Sequence, residues 1–210
     1  MYIPSQYKNE NISEVRDFIK AHSFAILINQ SEGKPWATHT PLELGKDENG
    51  KDILIGHIAK ANPQWKAFEN NPRVLCIFHG PHSYISSSWY KEEEVPTWNY
   101  IAVHIYGRVK VMSTEEVLQW LHGLVDHYEK EEKNPISLEQ MSPATLKQVR
   151  GVVGFRIQID EIQAAFKLSQ GREEDHERII KELKAKDEPG RRHIADIMKK
   201  KEDSRSEESE

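Results

Sequence analysis

The first half of the chain consists of short runs in which apolar and polar residues alternate, separated by clusters of turn-forming residues. Such alternation is typical of β-strands with one buried face. Four runs predict strands there: residues 24–29, 35–44, 52–58 and 73–80. Later runs predict a short strand near 84–86, a long strand over 99–112 and a last strand over 152–159. Because turns join most of the early strands, we expect antiparallel pairing.

Helical spacing of apolar residues is confined to fewer segments. The main predicted helices cover residues 12–22, the segment from Asn62 to Pro72, and residues 114–131. The last of these is preceded by a capping box, in which Ser113 and Glu116 satisfy each other's backbone donors. Six or seven strands with few long helices predict a mainly β fold. We expect a barrel with helices packed outside it, rather than a parallel α/β sheet.

The last forty residues differ from the rest in composition, because charged residues dominate them. A charged helical pattern follows the last strand, and a run rich in Glu and Ser ends the chain. We therefore expect a barrel domain over residues 1–170, a charged helical extension over 171–200 and a disordered tail over 201–210.

The overall composition narrows the class of protein. Of the 210 residues, 37% are hydrophobic, enough for a sizeable core, and the net charge of −5 argues against a broad nucleic-acid-binding face. The single cysteine, Cys76, lies in an apolar run and is expected to be a reduced core residue. We see neither a signal peptide nor an apolar run of membrane-spanning length, so we expect a cytoplasmic protein.

Motifs of several enzyme classes are missing. The chain has no glycine-rich phosphate loop, no zinc-protease motif and no nucleophile elbow around its serines, so we assign no catalytic residue. Three of its ten histidines, His57, His79 and His104, could face one another across a barrel and bind a metal. Separate core or surface histidines are the more common arrangement, so we assign no metal site.

One group of residues suggests a site for a phosphorylated aromatic ligand. Lys60 lies just before the helix predicted to start at Asn62, where an ammonium group and free backbone N–H groups would suit a phosphate. A solvated Lys60 on a turn is the alternative. Hydroxyl donors could come from Thr38, Thr40, Ser86, Ser87 and Ser88, and a ring could be covered by Trp89, Trp98 or Tyr100.

Several segments, taken in order, resemble the PaiB family of bacterial FMN-binding negative transcriptional regulators, described in bacilli as repressors of protease synthesis and sporulation. They read MYIPSQY, WATHTPLEL, GHIAKANPQW, GPHSYISSSWY, VPTWNYIAVHIYG and FKLSQGR. The resemblance covers about residues 1–185. It implies an FMN-binding split β-barrel, similar to pyridoxamine-phosphate oxidases and flavin reductases, that forms a homodimer with FMN at the subunit interface.

The resemblance also implies which residues surround the flavin. They are Ala37, Thr38 and His39; His57, Lys60 and Asn62; the segment from Ser86 to Tyr90; and the segment containing Lys167, Ser169 and Gln170. The chain departs from the family pattern at Thr40, Lys60, Ser87 and Gly171. A lysine in place of arginine keeps the positive charge but loses the planar fork that grips a phosphate with two hydrogen bonds.

Three functions remain open at this point. The first is a regulator that represses sporulation and protease-synthesis genes, by contacting DNA or through a partner regulator. The second is a flavin-dependent oxidoreductase or flavin reductase on the same barrel. The third is a haem-handling protein with His39 or His104 as axial ligand. Basic residues that could contact DNA alternate with acidic ones, which is typical of a solvated helix. They are Arg172, Arg178, Lys181, Lys184, Lys186, Arg191, Arg192, Lys199, Lys200 and Lys201.

Overall fold

The computed structural model describes the backbone of residues 1–207 and the side chains of residues 1–203. Within that range the chain forms six strands: β1 (Phe24–Ser31), β2 (Lys34–Lys46), β3 (Asp52–Ala59), β4 (Arg73–Ile85), β5 (Thr97–Val111) and β6 (Val152–Lys167). It also forms five helices: α1 (Ile12–Ala21), α2 (Thr114–Glu129), α3 (Pro143–Leu146), α4 (His176–Lys184) and α5 (Pro189–Glu207).

The strands form a closed barrel in the order β1-β2-β3-β6-β5-β4. Neighbouring strands pair antiparallel where their register is defined; β1 pairs with β2 from Phe24 opposite Pro41 to Ser31 opposite Lys34. The turn between these two strands holds Glu32 and Gly33 at positive φ. Two left-handed residues match the twist of a tight hairpin. The predicted mainly β barrel is confirmed.

The chain divides into two compact units. The first contains residues 1–18, 78–104 and the chain from 163 onward, and the second contains residues 19–77 and 105–162. In the first unit, Phe18 packs edge-on against Phe166, with ring centroids 5.7 Å apart. In the second, Phe68 packs in the same way against Phe155 at 5.6 Å. Each unit therefore has apolar side chains in its own interior.

Helix α2 begins as its sequence predicts. The hydroxyl of Ser113 accepts a hydrogen bond from the backbone N–H of Glu116, and the Glu116 carboxylate accepts one from the backbone N–H of Ser113. Val117 and Leu121 on this helix are buried with Met112 and Leu138 in a satellite apolar cluster of the second unit. The capping box thus fixes the first turn of a helix that closes one side of a pocket described below.

Four local features differ from the sequence prediction, and the first is that β6 continues to Lys167 rather than ending at residue 159. The strands predicted at 73–80 and 84–86 are one continuous strand, β4. The segment after Asn62 is a 3₁₀ turn, Pro63–Ala67, rather than a helix extending to Pro72. Helix α5 continues to Glu207, although we predicted a disordered tail from residue 201.

The continuation of α5 past residue 201 has a local cause. Lys and Glu are good helix formers, and Lys201 is held by an ion pair with Glu14 at 2.9 Å. Its ammonium also lies 5.5 Å from the centre of the Phe166 ring. The last part of the predicted tail, residues 208–210, lies outside the described residues, and the domain boundaries at 170 and 200 stay predictions.

Two further observations bear on the chain as a whole. Cys76 is fully buried, as predicted, and burial raises the pKa of its thiol. No helix among the described residues is both long enough and apolar enough to cross a membrane.

Candidate functional site

A pocket of about 430 Å³ in the second unit contains Lys60, and we call it the Lys60 pocket. Its polar lining consists of Lys60, Thr114 and Arg150, with the indole of Trp65 beside them. The remaining lining is apolar or small: Val111, Met112, Val117, Val149, Val152, Val153 and Gly154. The pocket therefore combines positive charge with an apolar wall.

The pairing of β3 with β6 places the two cations of this pocket. Ala59 lies opposite Val152 in the ladder, and the backbone N–H of Lys60 donates to the carbonyl of Gly151 at 2.7 Å. Arg150 immediately precedes Gly151 in the sequence. The indole N–H of Trp65 donates to the carbonyl of Lys60 at 2.9 Å, which fixes the turn after β3.

Neither cation of the Lys60 pocket has a counter-charge beside it in the part of the chain that the structure describes. Lys60 and Arg150 have exposed side chains, and neither has a carboxylate within ion-pair distance among the residues described. Two such cations above an apolar wall suit a ligand with a dianionic phosphate and an apolar ring system. Lys60 and Arg150 line the same pocket, and the role of Lys60 as a phosphate ligand stays a prediction.

The helix N-terminus predicted beside Lys60 is not available for a phosphate. The element is a five-residue 3₁₀ turn, and the side chain of Asn62 accepts the backbone N–H of Gln64 at 3.0 Å. The amide of Asn62 also donates to the hydroxyl of Thr38 at 2.8 Å. Asn62 and Thr38 are thus joined to each other, and the positive charge of the site comes from side chains.

Thr40 and His57 are also brought together. The buried hydroxyl of Thr40 donates to the carbonyl of His57 at 2.7 Å. The His57 ring packs edge-on against Trp120 at 5.7 Å, and its Nδ1 is buried without a hydrogen-bond partner among residues 1–203. Burial lowers the pKa of His57, so the ring is neutral near pH 7. His39 instead stacks on Phe24, with ring centroids 6.2 Å apart.

The other nine predicted site residues lie in the first unit. Ser86 caps a short 3₁₀ turn, Ser87–Trp89, and its hydroxyl bonds to that of Ser88 at 3.0 Å. The guanidinium of Arg191 lies 5.1 Å from the centre of the Trp89 ring. Trp98 is half exposed and packs against His82 and Tyr84, at 5.9 Å and 6.0 Å. Tyr100 is partly buried on the same strand as Trp98.

Lys167, Ser169 and Gln170 line a separate pocket of about 530 Å³, which we call the Lys167 pocket. The residues that complete its lining are Gln6, Tyr7, Tyr90, Glu94, Val95, Thr97, Gly171 and Arg172. None of these residues belongs to the Lys60 pocket. The predicted site residues therefore fall into two groups, one in each unit.

The histidines considered as metal ligands have other neighbours. His79 lies beside His82, with ring centroids 5.0 Å apart, and His57 lies against Trp120. Across the part of the chain that the structure describes, no group of three His, Cys, Asp or Glu side chains could hold a metal ion.

Sequence reasoning missed Arg150 and Thr114 as pocket residues. Arg150 follows a stretch without apolar periodicity, and Thr114 is the first residue of α2. No motif marks either of them. Arg150 reaches the pocket because β6 pairs with β3, and Thr114 reaches it because β5 leads into α2. The two residues lie about ninety and about fifty positions after Lys60 in the sequence.

Comparisons with known proteins show what the chain is similar to. A family model described as "Putative FMN-binding domain" matches residues 1–161. The chain is 42% identical over 203 residues to the protease synthase and sporulation protein PAI 2 of Bacillus subtilis. That match covers 96% of this chain and 98% of the relative.

Solved structures show the same fold at low sequence identity. The FAD and haem binding protein of Mycobacterium smegmatis is 13% identical, with a TM-score of 0.59 and 77% of this chain and 73% of that chain covered. The flavocytochrome Anf3 of Azotobacter vinelandii is 18% identical, with a TM-score of 0.60 and 81% and 75% covered. The expected split-barrel fold class is confirmed.

Proposed function

Because the chain belongs to the family of FMN-binding domains whose model matches residues 1–161, we propose that it is an FMN-binding negative regulator of transcription that represses sporulation and protease-synthesis genes. The regulatory part of this proposal is supported by the 42% identity to the PAI 2 protein, which extends over nearly the full length of both chains. The FMN part is supported by the unpaired cations of the Lys60 pocket.

FMN is the cofactor that the family assigns to the chain, and the residues present fit it. Lys60 and Arg150 would hold the phosphate, whose two negative charges match their two positive ones. The valine side chains and Trp65 would cover apolar parts of the molecule. When bound, FMN supplies a ring that accepts and releases electrons. The chain's own residues would orient the cofactor through its phosphate and its apolar parts.

The experiment that tests FMN binding is a titration of the purified protein with FMN, followed by absorption and flavin fluorescence. Lys60→Glu and Arg150→Glu should each weaken FMN binding about tenfold or more, since a charged hydrogen bond is replaced by repulsion. Lys60→Arg should retain or strengthen binding, because it restores the bidentate fork. Lys51→Glu, at an exposed turn position, is the matched control and should bind like the wild type.

Repression through a partner regulator is supported better than direct DNA contact. Several basic residues considered for DNA binding are engaged within the first unit. Arg191 donates to the carbonyls of Leu183 and Glu182, and Arg178 donates to those of Ser88 and Tyr90. Further ion pairs join Arg172 to Glu94, Lys184 to Asp196, Arg192 to Asp187 and Lys201 to Glu14. A basic residue with a carboxylate beside it adds less to phosphate binding than an unpaired one, because the carboxylate repels the phosphate.

Two assays separate the possible modes of repression. In cells, loss of the protein should raise expression from a protease-promoter reporter, and the wild-type gene but not Lys60→Glu should restore repression. In vitro, promoter DNA should show no shift with the pure protein at low salt. A shift weakened by Arg192→Glu would establish direct contact instead. An unchanged reporter, together with anaerobic bleaching of the bound flavin by NADPH, would favour the flavin reductase.

We propose that the expected homodimer forms through a surface of the second unit. The side chains of β1 alternate, so that Ala25 and Leu27 are buried in the core while Phe24 is 66% exposed on the other face. Neighbouring strands extend this outer face, because Ile26 lies between His39 and Ile77, and Ile28 lies between Ala37 and Leu75. We define the outer β1 face by these residues: Phe24, Ile26, Ile28, Ala37, His39, Leu75 and Ile77. Phe24, Ala37 and His39 are exposed and the other four side chains are partly buried. A mainly apolar sheet face of this kind suits a second copy of itself.

A further inference from the structure

The Lys167 pocket contains a cation without a counter-charge. The ammonium of Lys167 donates to the hydroxyl of Thr97 and lies 5.3 Å from the centre of the Tyr7 ring. No carboxylate among the described residues forms an ion pair with it. Partial burial lowers its pKa, which reflects the cost of holding the charge there. An ammonium that uses one of its three donors can offer the other two to an anion.

The other charges that line the pocket cancel. Arg172 forms an ion pair with Glu94, both of which belong to the lining. Burial, the largest cause, raises the pKa of Tyr90, so this phenol is neutral at physiological pH. The lining therefore carries one net positive charge. This matches a singly charged carboxylate better than a phosphate dianion.

The floor of the pocket is built before any ligand arrives. Ser169 has a positive φ of 62°, a conformation that costs free energy for a residue with a side chain. Its hydroxyl accepts the amide of fully buried Asn99 at 2.9 Å, and its carbonyl accepts from the ring of buried His176 at 2.9 Å. The Gln170 side chain accepts the backbone N–H of Leu168 at 2.8 Å. A strained loop held from several sides is a common way to pre-form a ligand site.

The walls and size of the pocket agree with a small organic ligand. A volume of about 530 Å³ lies within the usual range for small-molecule sites, roughly 300–1,000 Å³. Tyr7 and Tyr90 provide aromatic surface, and Gln6 and Thr97 provide polar groups. We propose that the Lys167 pocket is a binding site for a small organic monocarboxylate, whose carboxylate meets the ammonium of Lys167. This inference does not depend on FMN or on the regulatory role.

Calorimetric titration of the full-length protein, with and without saturating FMN, tests this proposal. The probes are acetate, hexanoate and benzoate, each compared with its neutral amide, and inorganic phosphate as the dianion. At least one carboxylate should bind tenfold more tightly than its amide. Lys167→Met should weaken that binding at least tenfold, because it removes the charge but keeps the length of the side chain. Lys181→Met, at an exposed position of α4 in the same unit, should leave it unchanged.

The possible outcomes distinguish this proposal from the one for FMN. Lys60→Glu should lose FMN and keep carboxylate binding, whereas Lys167→Met should do the opposite. Loss of FMN uptake in Lys167→Met would support the flavin role predicted by resemblance and overturn the carboxylate site. The carboxylate site would also be overturned if no carboxylate bound more tightly than its amide, or if phosphate bound as tightly as the carboxylates. Thr97→Val, which removes only the hydroxyl partner of Lys167, should weaken carboxylate binding less than Lys167→Met does.

Discussion

At the scale of single residues, Gln64 joins three backbone and side-chain acceptors in the second unit. It is fully buried, and its amide donates to the carbonyl of Leu27 at 3.2 Å, to the side chain of Asn29 at 3.1 Å and to the carbonyl of Trp36 at 3.3 Å. Gln64→Ala leaves these acceptors without their donor and opens a cavity. We expect a loss of about 2–4 kcal/mol in the free energy of unfolding, measured by urea denaturation.

The control for this substitution is Gln30→Ala, at an exposed position of β1, which should change the unfolding free energy by less than about 0.5 kcal/mol. A Gln64→Ala protein as stable as the control would mean that water replaces the amide without cost. The midpoint should shift at constant m-value, since the variant exposes no additional surface on unfolding.

Two partly buried histidines make stability depend on pH. Burial lowers the pKa of His57 and of His104 below the usual value of 6.5, and Nδ1 of each ring is buried without a described partner. Below pH 6.5 the unfolded chain binds protons that the folded chain excludes. Stability should therefore fall as the pH drops from 6.5 towards the lowered pKa values, by at most about 1.4 kcal/mol per pH unit for each ring.

Thermal or urea unfolding between pH 7.5 and 5 measures this slope. His57→Phe combined with His104→Phe should flatten it, whereas His193→Phe at an exposed position should not. An unchanged slope in the double variant would assign the pH dependence to other groups. The lowered pKa of Glu116, caused mainly by its backbone hydrogen bond to Ser113, acts only below about pH 4.5 and does not interfere.

The sequence indicated some of these residues and not others, for physical reasons. Lys60 could be singled out because a lysine before an Asn-Pro pair is visible locally. Gln64 and Arg150 could not, since their roles depend on which strands pair. A glutamine two residues after Asn62 looks solvated until the fold encloses it. Tyr7 and Lys167 similarly meet only when two segments 160 residues apart in the sequence come together.

At the scale of elements, local sequence signals predicted where a helix begins better than they predicted how far a strand continues. The capping box at Ser113 located the start of α2, because all its donors and acceptors lie within four residues. Residues 73–80 and 84–86 were predicted as separate strands, yet β4 runs without a break through Gly80 and Pro81. Packing explains why residue 80 is a glycine, because a methyl group there would overlap the ring of Phe18. Such a contact between distant segments leaves no signature in the local sequence.

The contact between β6 and α2 depends on a second glycine. A Cβ on Gly154 would overlap the side chain of Val117, which is buried and, being β-branched, has little freedom to move. Gly154→Ala should therefore destabilise the protein by about 1–3 kcal/mol. Combining it with Val117→Ala should cost less than the sum of the two single changes, as a double-mutant cycle would measure.

Gly123 provides the opposite case within α2. A Cβ there meets nothing within 4 Å, and the residue lies in the interior of a helix. Gly123→Ala should stabilise the protein by about 0.5–1 kcal/mol, because alanine loses less backbone entropy on folding. If Gly154→Ala were as harmless as Gly123→Ala, β6 and α2 would have room to separate at this contact.

At the scale of the whole molecule, the outer β1 face should decide the oligomeric state. Glutamate at Phe24 and Ile26 would place two charges on a surface that a second copy is expected to cover. Light scattering after gel filtration should give a dimer mass for the wild type and a monomer mass for Phe24→Glu/Ile26→Glu. Lys51→Glu, at the exposed connection between β2 and β3 and outside this face, should remain dimeric.

The same variant also tests where FMN binding is completed. The outer β1 face includes Ala37 and His39, two residues that the resemblance places around the flavin. If a second copy completes the flavin site, the monomeric variant should bind FMN at least tenfold more weakly, although Lys60 and Arg150 are intact. If the monomer binds FMN as the dimer does, the Lys60 pocket is sufficient within one chain. Retention of the dimer in Phe24→Glu/Ile26→Glu would place the subunit interface elsewhere, because two buried glutamates without partners would not be tolerated there.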